Sequence, residues 1–156
     1  MSEPVVLCLG HHLRGDDALG PLVADRLRER GIPARWLLGD AADLLGAWTP
    51  EDDVILVDAV VTGSPPGTLH KWNGLEAPLE RVESCPSTHG FGVAEAIALG
   101  RVLDRLPRRL TLIGVEACSF EFDAPLSPEV AGALESVVQM TIEEFAACAS
   151  CPAARA

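Results

Sequence analysis

The chain has 156 residues, enough for one domain with its own hydrophobic core and no metal or disulfide staples. Its formal net charge of −11 at pH 7 argues against partners held through phosphate groups, so we expect no nucleic acid and no anionic membrane as a partner. No apolar run approaches the roughly 20 residues that a transmembrane helix needs. The N-terminus lacks the basic stretch of a secretory signal, so we expect a cytoplasmic protein.

The predicted elements alternate between strands and helices. In chain order they are a strand at residues 5–9, a helix at 18–30, a strand at 34–38, a helix at 41–48, a strand at 54–61, an edge strand at 68–72 beside the third strand, a loop at 73–88, a helix at 93–106, a strand at 110–115 and a helix that starts after Ser127 with Pro128 at its first position. This order predicts an α/β three-layer sandwich, with a twisted, mostly parallel five-stranded sheet flanked by helices.

The five cysteines do not suggest a disulfide framework, because an odd number in a chain without a secretion signal indicates reduced thiols. Cys148 and Cys151 form a lone CxxC pair that follows a predicted helix, whereas redox pairs lie at a helix N-terminus. We interpret residues 148–156 as a flexible tail after a single domain of residues 1–147.

The loop after the first strand carries the first candidate site residues, because ligands bind outside the carboxyl ends of strands in open α/β sheets. Its glycines have the spacing of a phosphate-binding loop, but Asp16 and Asp17 stand where such a loop needs Lys and Ser or Thr. Acids also stabilise helix N-termini, so we expect only one of the two to face a ligand. At most one of His11 and His12 is expected to face the site.

Two further candidates follow later in the chain. Asp58 lies inside an almost continuously apolar strand, where a carboxylate is costly unless it is paired, hydrogen-bonded or bound to a metal. The alternative is a structural aspartate that accepts backbone N–H groups. His89 lies between Ser87-Thr88 and two glycines, in a loop that is typical of displayed functional side chains. By contrast, we expect His70 in the edge strand to be a solvated surface residue.

Asp17, Asp58 and His89 together supply two oxygen ligands and one nitrogen ligand, a set suited to a divalent transition metal with open coordination positions. We therefore predict a metal-sensing catalytic cluster at these three residues. The HExxH and GxSxG signatures of metalloproteases and serine hydrolases are absent. Cys85 or Cys118 as a nucleophile beside His89 is a weaker alternative, since nothing in their spacing requires it.

Three motifs carry a resemblance to a known family: GxxLxxDDxxG at residues 10–20, VDA at 57–59 and STH at 87–89. With them the chain resembles the hydrogenase maturation endopeptidases, which trim the C-terminal extension from the large subunit of nickel-iron hydrogenases. The resemblance extends from Val5 to about Phe145 in the same order of strands and helices, and it implies a twisted sheet between helix layers.

The resemblance implies an endopeptidase that acts on a hydrogenase large-subunit precursor after nickel insertion. In the family, a first-loop acid, the strand aspartate and the loop histidine bind nickel, and these match Asp17, Asp58 and His89. The nickel is supplied by the precursor, so the enzyme senses cofactor loading before it cuts. A metal held there would also polarise a carbonyl group or a water molecule.

Two positions depart from the family pattern. His11 stands where Asn is usual, and residues 39–43 replace an Asp-Gly-Gly-Thr-x-Gly-like loop that is expected to touch the substrate. His11 is thus either an additional ligand or an altered hydrogen-bond donor. The departures keep two alternatives open: a non-proteolytic module that checks or escorts an immature metalloenzyme, and a small-molecule hydrolase on a similar sheet.

Overall fold

The described residues of this computed structural model are 3–76, 83–84 and 92–151. The strands are β1 (Val5–Leu9), β2 (Ala34–Leu37), β3 (Asp53–Val61), β4 (Leu69–Asn73), β5 (Glu83–Ser84) and β6 (Arg109–Glu116), and the helices are α1 (Leu19–Glu29), α2 (Ala41–Ala47), α3 (Val93–Val102) and α4 (Pro128–Ser150). A turn of 3₁₀ helix, Gly15–Ala18, precedes α1. None of the helices in these ranges combines the length and the apolarity that crossing a membrane requires.

In the described residues, five strands form the main path of the sheet in the order β2-β1-β3-β6-β4, and the two-residue β5 pairs with the end of β3 as a sixth. β1, β2, β3 and β6 are parallel, and β4 is antiparallel to β6, which confirms the predicted mostly parallel five-stranded sheet. Consecutive residues of β3 point to opposite faces of the sheet and belong to two hydrophobic cores. Ile55 packs with α1 and α4, and Leu56 packs with α2 and α3. Because both faces are covered, β3 needs an almost continuous apolar run.

The predicted partner of β4 was wrong. We expected this strand beside β3, but it pairs with β6, from Leu69 opposite Val115 to Asn73 opposite Thr111. The reason is that β1 and β6 already occupy the two edges of β3. The returning chain therefore adds to the open edge of β6, and the connection is fixed by backbone hydrogen bonds from Gly67 to Glu116 and from Glu116 to Thr68, both 2.8 Å long.

Two helix ends and the predicted loop at residues 73–88 also differ from expectation. α3 ends at Val102 rather than at residue 106 because Asp104 adopts a positive φ of 54° and the Arg105 N–H bonds back to the Gly100 carbonyl. α4 continues through Ser150, so residues 148–150 of the predicted tail are helical. The predicted loop contains the last residue of β4 and all of β5.

Candidate active site at the carboxyl edge of the sheet

The first loop turns back tightly over the end of β1. Gly10 has a φ of +147°, and a Cβ atom at this position would lie 1.9 Å from the carbonyl oxygen of Asp17. A Cβ atom at Gly20 would lie 1.9 Å from the carbonyl oxygen of Leu9, so α1 also packs directly against the strand. Only glycine fits such close backbone approaches. The two glycines therefore hold Asp17 at the carboxyl end of β1.

Asp16 is a structural anchor. Its buried carboxylate accepts hydrogen bonds from the backbone N–H groups of Cys118 at 2.7 Å, Ser119 at 3.0 Å and Ser127 at 2.7 Å. It also accepts the Ser127 hydroxyl at 2.9 Å, so this hydroxyl does not cap α4. These bonds fasten the first loop to the segment after β6 and to the start of α4.

Asp17 is buried beside Asp16 but is bonded very differently. Within the described part of the chain, its carboxylate accepts one hydrogen bond, from the backbone N–H of His11 at 2.8 Å. Burial raises the pKa of Asp17, and this effect is partly offset by the His11 hydrogen bond and by the positive charge of Arg14. With respect to the described residues, Asp17 is therefore the one of the two adjacent acids whose carboxylate has capacity left to accept a further partner.

Asp58 lies next to Asp17 at the same edge. β1 ends at Leu9, one residue after Cys8 pairs with Val57, so Asp58 stands at the carboxyl end of this ladder. Burial raises the pKa of Asp58 well above its usual range, and the negative charge of Asp17 raises it further, against a smaller opposing effect of the Ala59 backbone hydrogen bond. The structure thus brings together two buried carboxyl groups that repel each other when both are ionised.

The third predicted site residue, His89, lies outside the described residues, and so does Cys85. Their predicted roles stay predictions. Among residues 3–76, 83–84 and 92–151, no group of three or more His, Cys, Asp or Glu side chains is arranged to hold a metal ion. The carboxyl groups of Asp17 and Asp58 could supply two oxygen ligands to a divalent cation whose remaining ligands come from other groups.

The two histidines of the first loop, His11 and His12, contact neighbouring groups. The ring Nδ1 of His11 accepts the backbone N–H of Leu13 at 3.1 Å, so His11 contacts Asp17 through its backbone rather than through this ring atom. The ring of His12 lies edge-on against Trp36, with ring centroids 4.5 Å apart. The altered loop at residues 39–43 starts α2, because Asp40 caps the helix by accepting the Asp43 N–H at 2.9 Å.

His70 is not the solvated surface residue that we expected. Its side chain is only 15% exposed, stacks on Trp72 and places Nε2 3.2 Å from a carboxylate oxygen of buried Glu116. The expectation failed because β4, although it is an edge strand, pairs with β6, and the His70 ring lies against Glu116 at the end of β6 and against Trp72. Thr62 also donates its hydroxyl to Glu116, and His70 meets both groups through the same Nε2 atom. A catalytic triad uses both ring nitrogens, so this cluster lacks the geometry of a triad, and we expect its role to be structural.

We expect Glu116→Gln to destabilise the fold by about 1.5–3 kcal/mol at pH 7, because a buried charged acceptor is lost. Burial favours a higher pKa for Glu116, but hydrogen bonds from Thr62 and His70 outweigh it and leave the pKa below its ordinary 4.5. A lowered carboxyl pKa stabilises the fold above pH 4.5, and this contribution is lost as the pH falls through the folded-state value.

Urea unfolding of the wild type and of Glu116→Gln at pH 7 and near pH 3.5 measures this difference. The gap between the two proteins is expected to shrink at the lower pH. The matched control is Glu135→Gln on the exposed face of α4, where little change is expected at either pH. A gap for Glu116→Gln that is equal at both pH values would contradict the assignment.

Comparison with known proteins identifies the family. The family model described as hydrogenase maturation protease (HycI) matches residues 39–144, and the hydrogenase 2 maturation protease of Escherichia coli strain K12 is 30% identical over 144 residues, with 88% of this chain and 87% of the relative covered. The chain belongs to the hydrogenase maturation protease family. The predicted family is thereby confirmed, and with it the general class of hydrolase.

Other members of the family agree with this assignment. The hydrogenase expression/formation protein HupD of Thiocapsa roseopersicina is 27% identical over 155 residues, which cover 92% of this chain and 68% of the relative. The solved structure of the hydrogenase maturating endopeptidase HybD from Escherichia coli superposes with a TM-score of 0.76 at 26% identity and covers 94% of both chains. The α/β fold is therefore shared along nearly the whole protein.

Proposed function

We propose that this hydrogenase maturation protease removes the C-terminal extension of a nickel-iron hydrogenase large-subunit precursor and recognises the nickel that the precursor carries. Family membership supports the reaction class. The observation that carries the proposal is the buried pair of Asp17 and Asp58, in which the charge of one raises the pKa of the other. This pair has no described cationic side chain hydrogen-bonded to it.

Electrostatics explains why a nickel-loaded substrate would be preferred. Without a cation, ionising both carboxyl groups is opposed by burial and by mutual repulsion. A divalent ion presented by the precursor removes both penalties, and nickel accepts oxygen as well as nitrogen ligands. A precursor without nickel offers no such gain. The site would therefore test whether metal insertion is complete.

His89 is proposed as the third ligand of this site. Chain connectivity permits it: His89 is five residues after Ser84, and five extended residues span at most about 17 Å. Ser84 itself pairs with Val60 of β3, two residues beyond Asp58. On the C-terminal side, Gly92 is three residues after His89 and is the N-cap residue of α3.

We propose an aspartate-assisted cleavage at this site. The bound nickel would polarise the scissile carbonyl or a water molecule as a Lewis acid. With nickel bound, both carboxyl groups would be ionised, so Asp58 would accept the proton of the attacking water and then pass it to the leaving amine. Asp17 would help to hold the nickel.

The test is to mix the purified chain with a purified, nickel-loaded large-subunit precursor and to measure intact masses. Release of one C-terminal peptide is the expected result. A precursor that binds but keeps its full mass would contradict the proposal and favour an escort module. Rapid hydrolysis of small esters or amides without any precursor cleavage would favour a small-molecule hydrolase instead.

A further inference from the structure

We propose that Trp36 is a positioning residue that holds Asp17 in its working orientation through a single peptide group. The indole N–H of Trp36 donates to the carbonyl oxygen of Gly10 at 2.7 Å. The N–H of the next residue, His11, donates to the Asp17 carboxylate at 2.8 Å. The importance of this arrangement for catalysis rests on the function proposed above.

The two hydrogen bonds are mechanically linked because they use the two ends of one peptide group. The Gly10 carbonyl and the His11 N–H lie in one rigid plane and point in opposite directions in a trans peptide. The described chain contains no cis peptide bonds. When the Trp36 indole fixes the carbonyl, it also fixes the direction in which the His11 N–H meets Asp17.

This peptide group needs a side chain to hold it because the sheet ends there. The last backbone bond between β1 and β2 runs from the Gly10 N–H to the Leu37 carbonyl at 3.1 Å. A continuing parallel ladder would give the Gly10 carbonyl the N–H of Gly39. Gly39 instead turns away with a φ of +99°, and the Trp36 indole supplies the donor.

Gly10 makes this support more important. Gly10 has a positive φ of 147° and no side chain, so the peptide group that follows it can rotate more freely than one that follows another residue type. Trp36 itself remains 38% exposed, so its large ring is not fully explained by packing in the core. We therefore attribute the role of tryptophan at this position to the indole hydrogen bond with Gly10 rather than to hydrophobic burial.

The experiment compares Trp36→Phe with Trp48→Phe. Each substitution keeps an aromatic ring and removes one indole hydrogen bond to a backbone carbonyl, since Trp48 donates to the Arg105 carbonyl at 2.8 Å. Trp48 follows α2 and packs in the core beneath α2 and α3, so it is a matched control outside the first loop. Two readouts are used: hydrogen exchange of the His11 amide in the free protein, and kcat/KM for precursor processing.

Trp36→Phe is expected to speed exchange of the His11 amide and to lower kcat/KM by roughly three- to tenfold each, the effect of one lost neutral hydrogen bond. Trp48→Phe is expected to leave both quantities within about twofold of the wild type. Unchanged His11 exchange in Trp36→Phe would overturn the proposed link. Faster exchange with normal kcat/KM would overturn the positioning role.

The exchange measurement uses no substrate, so it separates this inference from the proposed function. If the wild type binds the precursor without cutting it, the proposed function fails while the exchange result still stands. The positioning role is then judged by the dissociation constant of the nickel-loaded precursor. An equal constant for the two tryptophan variants would overturn that role as well.

Discussion

Asp58→Asn is expected to lower precursor processing by at least about 100-fold while leaving the protein as stable as the wild type, or more stable, at pH 7. The activity is lost because the amide neither accepts the proton of water nor balances the charge of nickel. The stability is kept because burial and Asp17 raise the pKa of Asp58. A raised folded-state pKa means that ionisation of Asp58 costs stability at neutral pH, and asparagine removes this cost.

Intact-mass kinetics and thermal unfolding of the same preparation test this prediction. The control is Asp25→Asn, the same change at an exposed position of α1 where Asp25 forms an ion pair with Arg28. It is expected to process the precursor normally. Near-normal processing by Asp58→Asn would remove Asp58 from the site, and a large drop in its unfolding temperature would favour the structural role that the sequence left open.

Asp16→Ala is expected to destabilise the fold by about 3–4 kcal/mol. The substitution removes the buried carboxylate that accepts the N–H groups of Cys118, Ser119 and Ser127. The first loop then loses its attachment to α4. Asp17→Asn removes no comparable network, so we expect it to abolish processing with less than about 1 kcal/mol of destabilisation.

Urea unfolding of the two neighbouring variants, read beside their processing rates, gives the contrast directly. Asp17→Asn should unfold near the wild-type midpoint but fail to cut, whereas Asp16→Ala should unfold at much lower urea. The opposite pattern, with Asp16→Ala stable and inactive, would exchange the roles that the structure gives to the two acids.

Secondary-structure elements that are determined by residues close together in the sequence were predictable. The β1-loop-α1 unit follows from a short apolar run, two glycines and helical spacing, and its ends differ from the prediction by one residue at most. Pro128 at the first turn of α4 is likewise a local signal. The central position of β3 follows from its composition, since only a strand covered on both faces is so continuously apolar.

Long-range pairing was not predictable from one sequence. The edge to which β4 adds depends on which edges remain open after β1, β3 and β6 have paired. The burial of His70 follows from that pairing, because its hydrogen-bond partner Glu116 is distant in the chain. No local pattern around His70 signals this contact.

The candidate site was predictable in part. Asp58 was predicted as a site residue because it is a carboxylate within an apolar strand, and the structure places it beside Asp17. The sequence alone did not separate Asp16 from Asp17, because the distinction lies in bonds to Cys118 and Ser127, about 100 residues away. The support from Trp36 was also missed, since only the end of the β1–β2 ladder reveals it.

The central claim is that the two buried carboxyl groups recognise the nickel of the precursor. The most direct measurement is the cleavage rate of one precursor prepared with and without nickel, at equal concentration and with the same enzyme. We predict rapid release of the C-terminal peptide from the nickel-loaded form and at least about 100-fold slower release from the nickel-free form. Equal cleavage rates for the two forms would contradict this account.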